Sequence, residues 1–226
     1  MVKKITKSST GGGGTNTSLT SLSTSTTTHG AIPSILHDAL PLPRAVVFDL
    51  DYTLWPFWVD THVSPPLKPN ANHSAGVDRN GESFTFYSDV PAILHALQIA
   101  GVKVGVASRT SSPELAREML KLLHVPGSAT INAHLKQKDK TRKAIDFFDA
   151  GLEIYPSSKI RHFEALHKRT QIPHTEMLFF DDESRNRDTE SLGVTMWLVR
   201  DGVTWAEVVK GIQEWRRRRG IGERKE

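Results

Sequence analysis

The six residues from Ala45 to Leu50 (AVVFDL) are apolar up to an acid, and a second acid follows at Asp51. A continuous apolar run this short reads as a strand buried on both faces, as in a parallel sheet covered by helices. The pattern recurs at Val102–Ala107 (VKVGVA), Met177–Asp181 (MLFFD) and Thr195–Val199 (TMWLV). Helical segments separate these runs. Asp89-Val-Pro91 opens one that reaches about Ala100 and stops at Gly101. Ser111 and Glu114 have capping-box spacing ahead of a helix to about Leu123, with Pro113 suited to its first turn. Ser157 can cap a helix from Ser158 to about Arg169, and Thr204 with Glu207 opens a last one to about Arg217. Strands alternating with helices define an α/β fold of three layers around a mostly parallel sheet. In such sheets the functional crevice lies beyond the carboxyl ends of the strands.

The rest of the chain is organised around that core. Residues 1–40 are expected to be a disordered tail, because the Ser, Thr and Gly of residues 6–28 offer too little apolar area to offset ordering entropy. Residues 41–215 form the expected domain, and residues 216–226 a basic C-terminal tail. The formal charge of +4 sits at the ends: residues 1–37 carry +3 and residues 216–226 carry +4, leaving −3 for the body. Arg216–Arg219 ends a helix, where cations complement the dipole, so nucleic acid is not the expected partner. Residues 56–80 read as loop, and Asn80-Gly81 between Val77 and Phe84 signals a hairpin. Residues 126–153 stay ambiguous: Ile131 suggests a short strand, and Lys140–Phe148 reads as either a helix or a charged insertion. No apolar run is long enough to span a membrane, so a soluble protein is expected. Cytoplasmic residence follows, with the nucleus left open and organelle targeting by the N-terminal segment as a lesser alternative.

The four strand ends hold the chemistry. Asp49 and Asp51 are two apart, so both approach the crevice from the same side. A single strand-end Asp more often forms a turn or cap; a pair at this spacing is more specific. Ser108 and Arg109 follow the second strand, and Lys159 starts a helix. Asp181-Asp182-Glu183 follows the third, and like charges so close raise one another's pKa unless a cation intervenes. Acids at two strand ends suit a hard, oxygen-ligated cation, most simply Mg2+. The hydroxyl and the cationic side chains suit a phosphate. The absence of cysteine excludes disulfides, Cys-ligated zinc, iron–sulfur clusters and thiolate catalysis. Seven of the ten histidines (His62, His73, His95, His134, His162, His167 and His174) show no metal-ligand spacing, and most are expected at the surface.

Asp49-x-Asp51-x-Thr53, Ser108, Lys159 and Asp181-Asp182 resemble, in order, the four motifs of the haloacid dehalogenase superfamily of aspartate-based phosphotransferases. FDLDYTLWPFWVDTHV, ASRTS, YPSSKIRHFEALHKRT and FFDDESRNRD are similar to the magnesium-dependent phosphatase 1 family within it, over about residues 43–210. The resemblance implies a haloacid-dehalogenase-like sandwich. Its cap is minimal, a small flap formed by the Val77–Tyr87 hairpin, because the span from Asp49 to Ser108 is too short for a large one. It implies Asp49 as nucleophile, forming an aspartyl-phosphate, and Asp51 as general acid and then base. Mg2+ would be held by the Asp49 carboxylate, the Asp51 carbonyl and Asp182, with Asp181 orienting its waters and Asn186 supporting the shell. Ser108, Lys159, Arg109 and the Leu50 N–H would bind the phosphoryl group, with Lys159 also able to screen Asp49 from other acids, and Thr53 would hold the loop that places Asp51. The implied substrates are protein phosphotyrosine and sugar phosphates such as fructosamine 6-phosphates, acted on by a monomer. Trp55, Phe57 and Trp58 either line the leaving-group site or pack beneath the loop. The alternatives are a catalytically weak phosphate-binding module and another phosphotransferase of the superfamily.

Overall fold

A computed structural model describes residues 32–127 and 140–222. The Ser/Thr/Gly-rich segment, the strand expected at Ile131, His134 and the last four residues lie outside the described residues. Ten strands run in chain order among the described residues. They are β1 (Ala45–Phe48), β2 (Lys68–Pro69), β3 (Gly76–Val77), β4 (Ser83–Phe84), β5 (Lys103–Ser108), β6 (His124–Val125), β7 (Arg142–Lys143), β8 (Gly151–Ile154), β9 (Met177–Asp181) and β10 (Thr195–Leu198). The α-helices among the described residues are α1 (Val59–His62), α2 (Val90–Ile99), α3 (Pro113–Leu122), α4 (Lys159–Thr170) and α5 (Trp205–Arg217).

The central sheet has the order β10-β9-β1-β5-β8, and every pairing is parallel. β1 is its middle strand, with Phe48 in register with Val106 on one side and Phe180 on the other. The carboxyl ends of β1, β5 and β9 therefore lie side by side. All four β1 residues are buried because each face of the sheet is covered. Val46 and Phe48 point into a core with Ile93, Met119 and Ile212 from α2, α3 and α5. Ala45 and Val47 point into a second core with Phe163 and Leu166 of α4.

Four of the five strands of this sheet are those expected; β8 is the addition. Gly151 at its start has a φ of 129°, and the strand is half-exposed at the sheet edge, so it lacks the apolar run that marks its neighbours. The expected helix or insertion at Lys140–Phe148 is instead β7 followed by a 3-10 turn over Ala144–Phe147. Two caps also differ. Ser158, not Ser157, accepts the Arg161 N–H at the start of α4. The Ser111/Glu114 box is not formed: α3 begins after Ser112, and the Ser111 hydroxyl is engaged elsewhere. Thr204 does accept the Glu207 N–H. The hairpin forms as β3–β4, and β2 joins it to make three antiparallel strands. No helix of the described residues is long and apolar enough to cross a membrane.

The packed chain begins ahead of Pro41. Ile35 and Leu36 are buried in the first core, and Arg216 of α5 clasps this segment from the far end of the sequence. Its guanidinium donates to both Asp38 carboxylate oxygens (2.6 and 2.9 Å) and to the carbonyls of Ile35, Leu40 and Pro41. Arg216 is thus a buried cation rather than the start of a tail. Its neighbours pair locally: Arg217 and Arg218 with Glu214, and Arg219 over the Trp215 ring at 4.3 Å. Arg216→Ala is expected to cost about 3 kcal/mol in urea unfolding, because it strands Asp38 and three carbonyls. Arg217→Ala, which removes an exposed helix pair, should cost about 0.5 kcal/mol or less.

Candidate active site

The loop leaving β1 is built to project two carboxylates from one strand end. Asp49 still belongs to the ladder through its N–H, which donates to Phe180 O at 2.9 Å. The chain then turns back: Leu50 O accepts from the N–H groups of Thr53 and Leu54, and Tyr52 takes a left-handed φ of 51°. Beneath this turn Trp55 stacks on Phe57 and on Phe86, and Phe57 meets Phe84 of β4 edge-on. The small sheet props the loop from below, and none of its residues is among those lining the cleft. Of the aromatic set, Trp55 and Phe57 pack; only Trp58, 50% exposed, reaches the mouth.

The cleft at the carboxyl ends of the strands encloses about 400 Å3 and is lined by Asp49, Asp51, Ser108, Arg109, Lys159 and Asp182. All six were singled out from sequence, five by their side chains and Asp51 by its carbonyl as well. Leu50 and Thr53 are buried beneath the loop, and Asp181 and Asn186 are buried behind β9. Trp58 also lines the cleft, the first of the two placements the sequence allowed it, as do Asp60, Thr61, Thr110, Glu183 and Arg185, to which the sequence assigned no catalytic or ligand role. They fall within the stretches that resemble the family, but at α1, on the turns after β5 and β9 and on the 3-10 segment Ser184–Leu192, where the tertiary fold decides which side chains face the cleft.

At the floor is a buried charge cluster. Lys159, 1% exposed, donates to Asp49 Oδ1 at 2.7 Å, contacts Asp181 Oδ2 at 3.0 Å and donates to the Ala107 carbonyl. Its three N–H bonds are thereby taken up. It lies between Asp49 and Asp181 and separates their charges, in keeping with the screening role the resemblance also gives it. Burial opposes its ammonium, but the two carboxylates outweigh burial and raise its pKa. Burial dominates at Asp49, where it pushes the carboxyl up to about 7 against the pull of Lys159, with Asp181 adding to the rise.

Asp181 and Asp182 differ in what their oxygens do. Asp181 is fully enclosed and accepts from Lys159, from Asn186 Nδ2 on both oxygens (2.9 Å each) and from Glu183 N. Asp182 is half-buried on the cleft wall, and burial followed by the Asp181 charge raises it to about 6. One oxygen from each of Asp49, Asp181 and Asp182 lies within 4.8 Å of the others. Three carboxylates so close, two of them lifted towards neutral pH, form an oxygen-only donor set that suits a hard divalent cation.

Asp51 is held apart from this cluster. Its Oδ1 accepts from Trp55 Nε1 at 2.7 Å and from Val59 N at 3.1 Å. Burial raises it to about 6, partly offset by those two donors. The Thr53 hydroxyl is buried without a hydrogen-bond partner among the described residues, so Trp55 and Val59, rather than Thr53, fix the Asp51 side chain. Ser108 is buried, and its Oγ accepts weakly from Thr110 N. Arg109 is exposed and reaches Asn186 Oδ1 at 3.4 Å. Of the histidines, His95 and His162 are buried rather than at the surface; burial drives His162 down to about 4.

Residues 41–218 match the Acid Phosphatase family, and the chain belongs to that family. It is 46% identical over 157 residues to a HAD-like hydrolase superfamily protein of Schizosaccharomyces pombe, covering 69% of this chain and 85% of that one. It is 42% identical over 173 residues to magnesium-dependent phosphatase 1 of Homo sapiens, covering 76% of this chain and 86% of that one. Among solved structures, a haloacid-dehalogenase-superfamily hydrolase of Ehrlichia chaffeensis aligns with a TM-score of 0.48 and 12% identity, over 78% of this chain and 99% of that chain.

Carboxyls whose folded-state pKa is raised favour the folded protein at low pH and lose that advantage as pH climbs through the raised value. Without divalent cation, in EDTA, the melting temperature is expected to fall between about pH 4 and pH 7 as Asp49 ionises on its way past its folded value of about 7. Asp49→Asn should flatten that slope, read by thermal unfolding across a pH series.

Proposed function

We propose that this chain is an Mg2+-dependent phosphatase that hydrolyses phosphate monoesters through a phosphorylated Asp49. The observation that carries the reading is the floor of the cleft, where a fully buried lysine neutralises Asp49 beside further carboxylates. A carboxylate placed there is paired, desolvated and open to the cleft, as a nucleophile needs to be.

Asp49 attacks phosphorus in line and displaces the alkoxide or phenoxide. Asp51, raised towards neutrality by burial, donates its proton to the leaving oxygen and then takes one from a water that attacks phosphorus, which breaks the bond to Asp49 and releases inorganic phosphate. Ser108, Arg109 and the Leu50 N–H bind the phosphoryl oxygens. Lys159 contributes its charge from behind Asp49. The Asp49 and Asp182 carboxylates and the Asp51 carbonyl would hold Mg2+, while Asp181, tied down by Lys159, Asn186 and Glu183 N, orients the shell. The bound cation supplies neutralisation for the charge on the phosphoryl oxygens. The names of the relatives carry magnesium dependence and phosphatase activity to this chain.

The substrates that suit the site are phosphotyrosine on a protein surface and sugar phosphates. Both need an open mouth, which the lack of any cap residue among those lining the cleft supports. Trp58 offers its exposed face to the leaving group.

Asp49→Asn is expected to abolish hydrolysis of p-nitrophenyl phosphate without lowering the melting temperature, and EDTA to abolish it in the unaltered protein with recovery on excess Mg2+. Turnover by Asp49→Asn, or turnover indifferent to EDTA, would sink the proposal. Ser108→Ala, which removes one of several phosphoryl donors, should raise the barrier by about 2–4 kcal/mol in kcat/KM.

A further inference from the structure

Asp60 lines the cleft but belongs neither to the carboxylate cluster on its floor nor to the residues assigned a role from sequence. It lies on α1, one residue after Val59, whose N–H holds Asp51 Oδ1. Its own carboxylate crosses to the loop after β5. Asp60 Oδ2 accepts from the Ser111 hydroxyl at 2.6 Å and from Ser111 N at 3.2 Å, and Oδ1 accepts from the Thr61 hydroxyl at 3.1 Å. These donors, that of Ser111 first, lower its pKa. What those bonds do is tie a four-residue helix, whose one buried residue is Val59, to the loop after β5.

We propose that Asp60 is the positioning residue for Asp51: its bridge to Ser111 pins α1 so that the Val59 N–H keeps Asp51 aimed at the leaving oxygen. The inference rests on the role of Asp51 as general acid given above. An acid of this kind matters in proportion to how badly the leaving group needs a proton. A p-nitrophenolate leaves without one, whereas an alkoxide does not. A residue that positions the acid must therefore show the same leaving-group dependence as the acid, and one that merely braces the fold or the phosphate loop must not.

The test compares kcat/KM, which reports the steps through phosphoryl transfer to the protein, on p-nitrophenyl phosphate and on a simple alkyl phosphate. Asp60→Ala is expected to lose at least about tenfold more on the alkyl ester than on the nitrophenyl ester, within the acid contribution of about 100-fold or more. Ser111→Ala should lose in the same direction. The double variant should lose no more than Asp60→Ala alone, because the bond that Ser111→Ala breaks is already among those lost with the Asp60 carboxylate. Asp60→Asn, which keeps an acceptor for Ser111, should recover most of the alkyl activity. Equal losses on the two esters for Asp60→Ala, or additive losses for the double variant, would overturn the proposal. Asp51→Asn separates this failure from a failure of the mechanism. If Asp51→Asn shows the leaving-group dependence and Asp60→Ala does not, Asp60 does not position the acid. If Asp51→Asn shows none, Asp51 is not the acid and the inference falls with it. Asp60 is exposed, so folded Asp60→Ala protein is expected, checked by its melting temperature.

Discussion

Everything at the floor of this cleft depends on one buried ammonium. Lys159 reaches Asp49 and Asp181 at 2.7 and 3.0 Å in a site almost sealed from water. Burial drives Asp49 towards neutrality, and the Lys159 charge is the largest pull against it. The lysine in turn would not stay charged without the acids. The partners arrive from three separate elements: β1, β9 and the first residue of α4. Parallel pairing through β1 puts the first two side by side, and the Ser158 cap sets where α4 begins and hence where Lys159 enters. The fold and the charge cluster thus specify each other.

Above that floor the construction is different in kind. Asp51, Ser108 and Arg109 are carried by loops, and what orders them is hydrogen bonding and aromatic packing. The stack of Trp55 on Phe57 and Phe86, backed by Phe84, gives the β1 loop a rigid base, and the indole N–H rising from that base meets Asp51. The small three-stranded sheet has its use here as a support for the acid, not as a cover for the cleft.

The parts legible in the sequence were those with a short-range physical signature. Apolar runs marked β1, β5, β9 and β10, and residues two apart on a strand end marked Asp49 and Asp51. β8 escaped because an edge strand opening on a left-handed glycine and carrying a glutamate has no apolar run. Among the site residues, Asp60 escaped because its meaning comes from Ser111, 51 positions away. Ser111 itself was read as half of a helix cap, a local role its spacing allowed but a distant carboxylate claimed. The same competition decided Arg216: at the head of a run of four arginines it looked like solvated charge, and only the backbone of residues 35–41 shows it as a buried ligand of carbonyls.

That clasp separates two boundaries that are easily taken as one. Similarity to the family starts at residue 41, whereas the carboxylate that answers Arg216 is at position 38 and the apolar anchors are at 35 and 36. The cooperative folding unit is therefore wider than the stretch that sequence comparison delimits. Its two ends are knotted together on the rim of the sheet away from the chemistry, so the residues that evolutionary similarity leaves out are ones on which the closure of the domain relies.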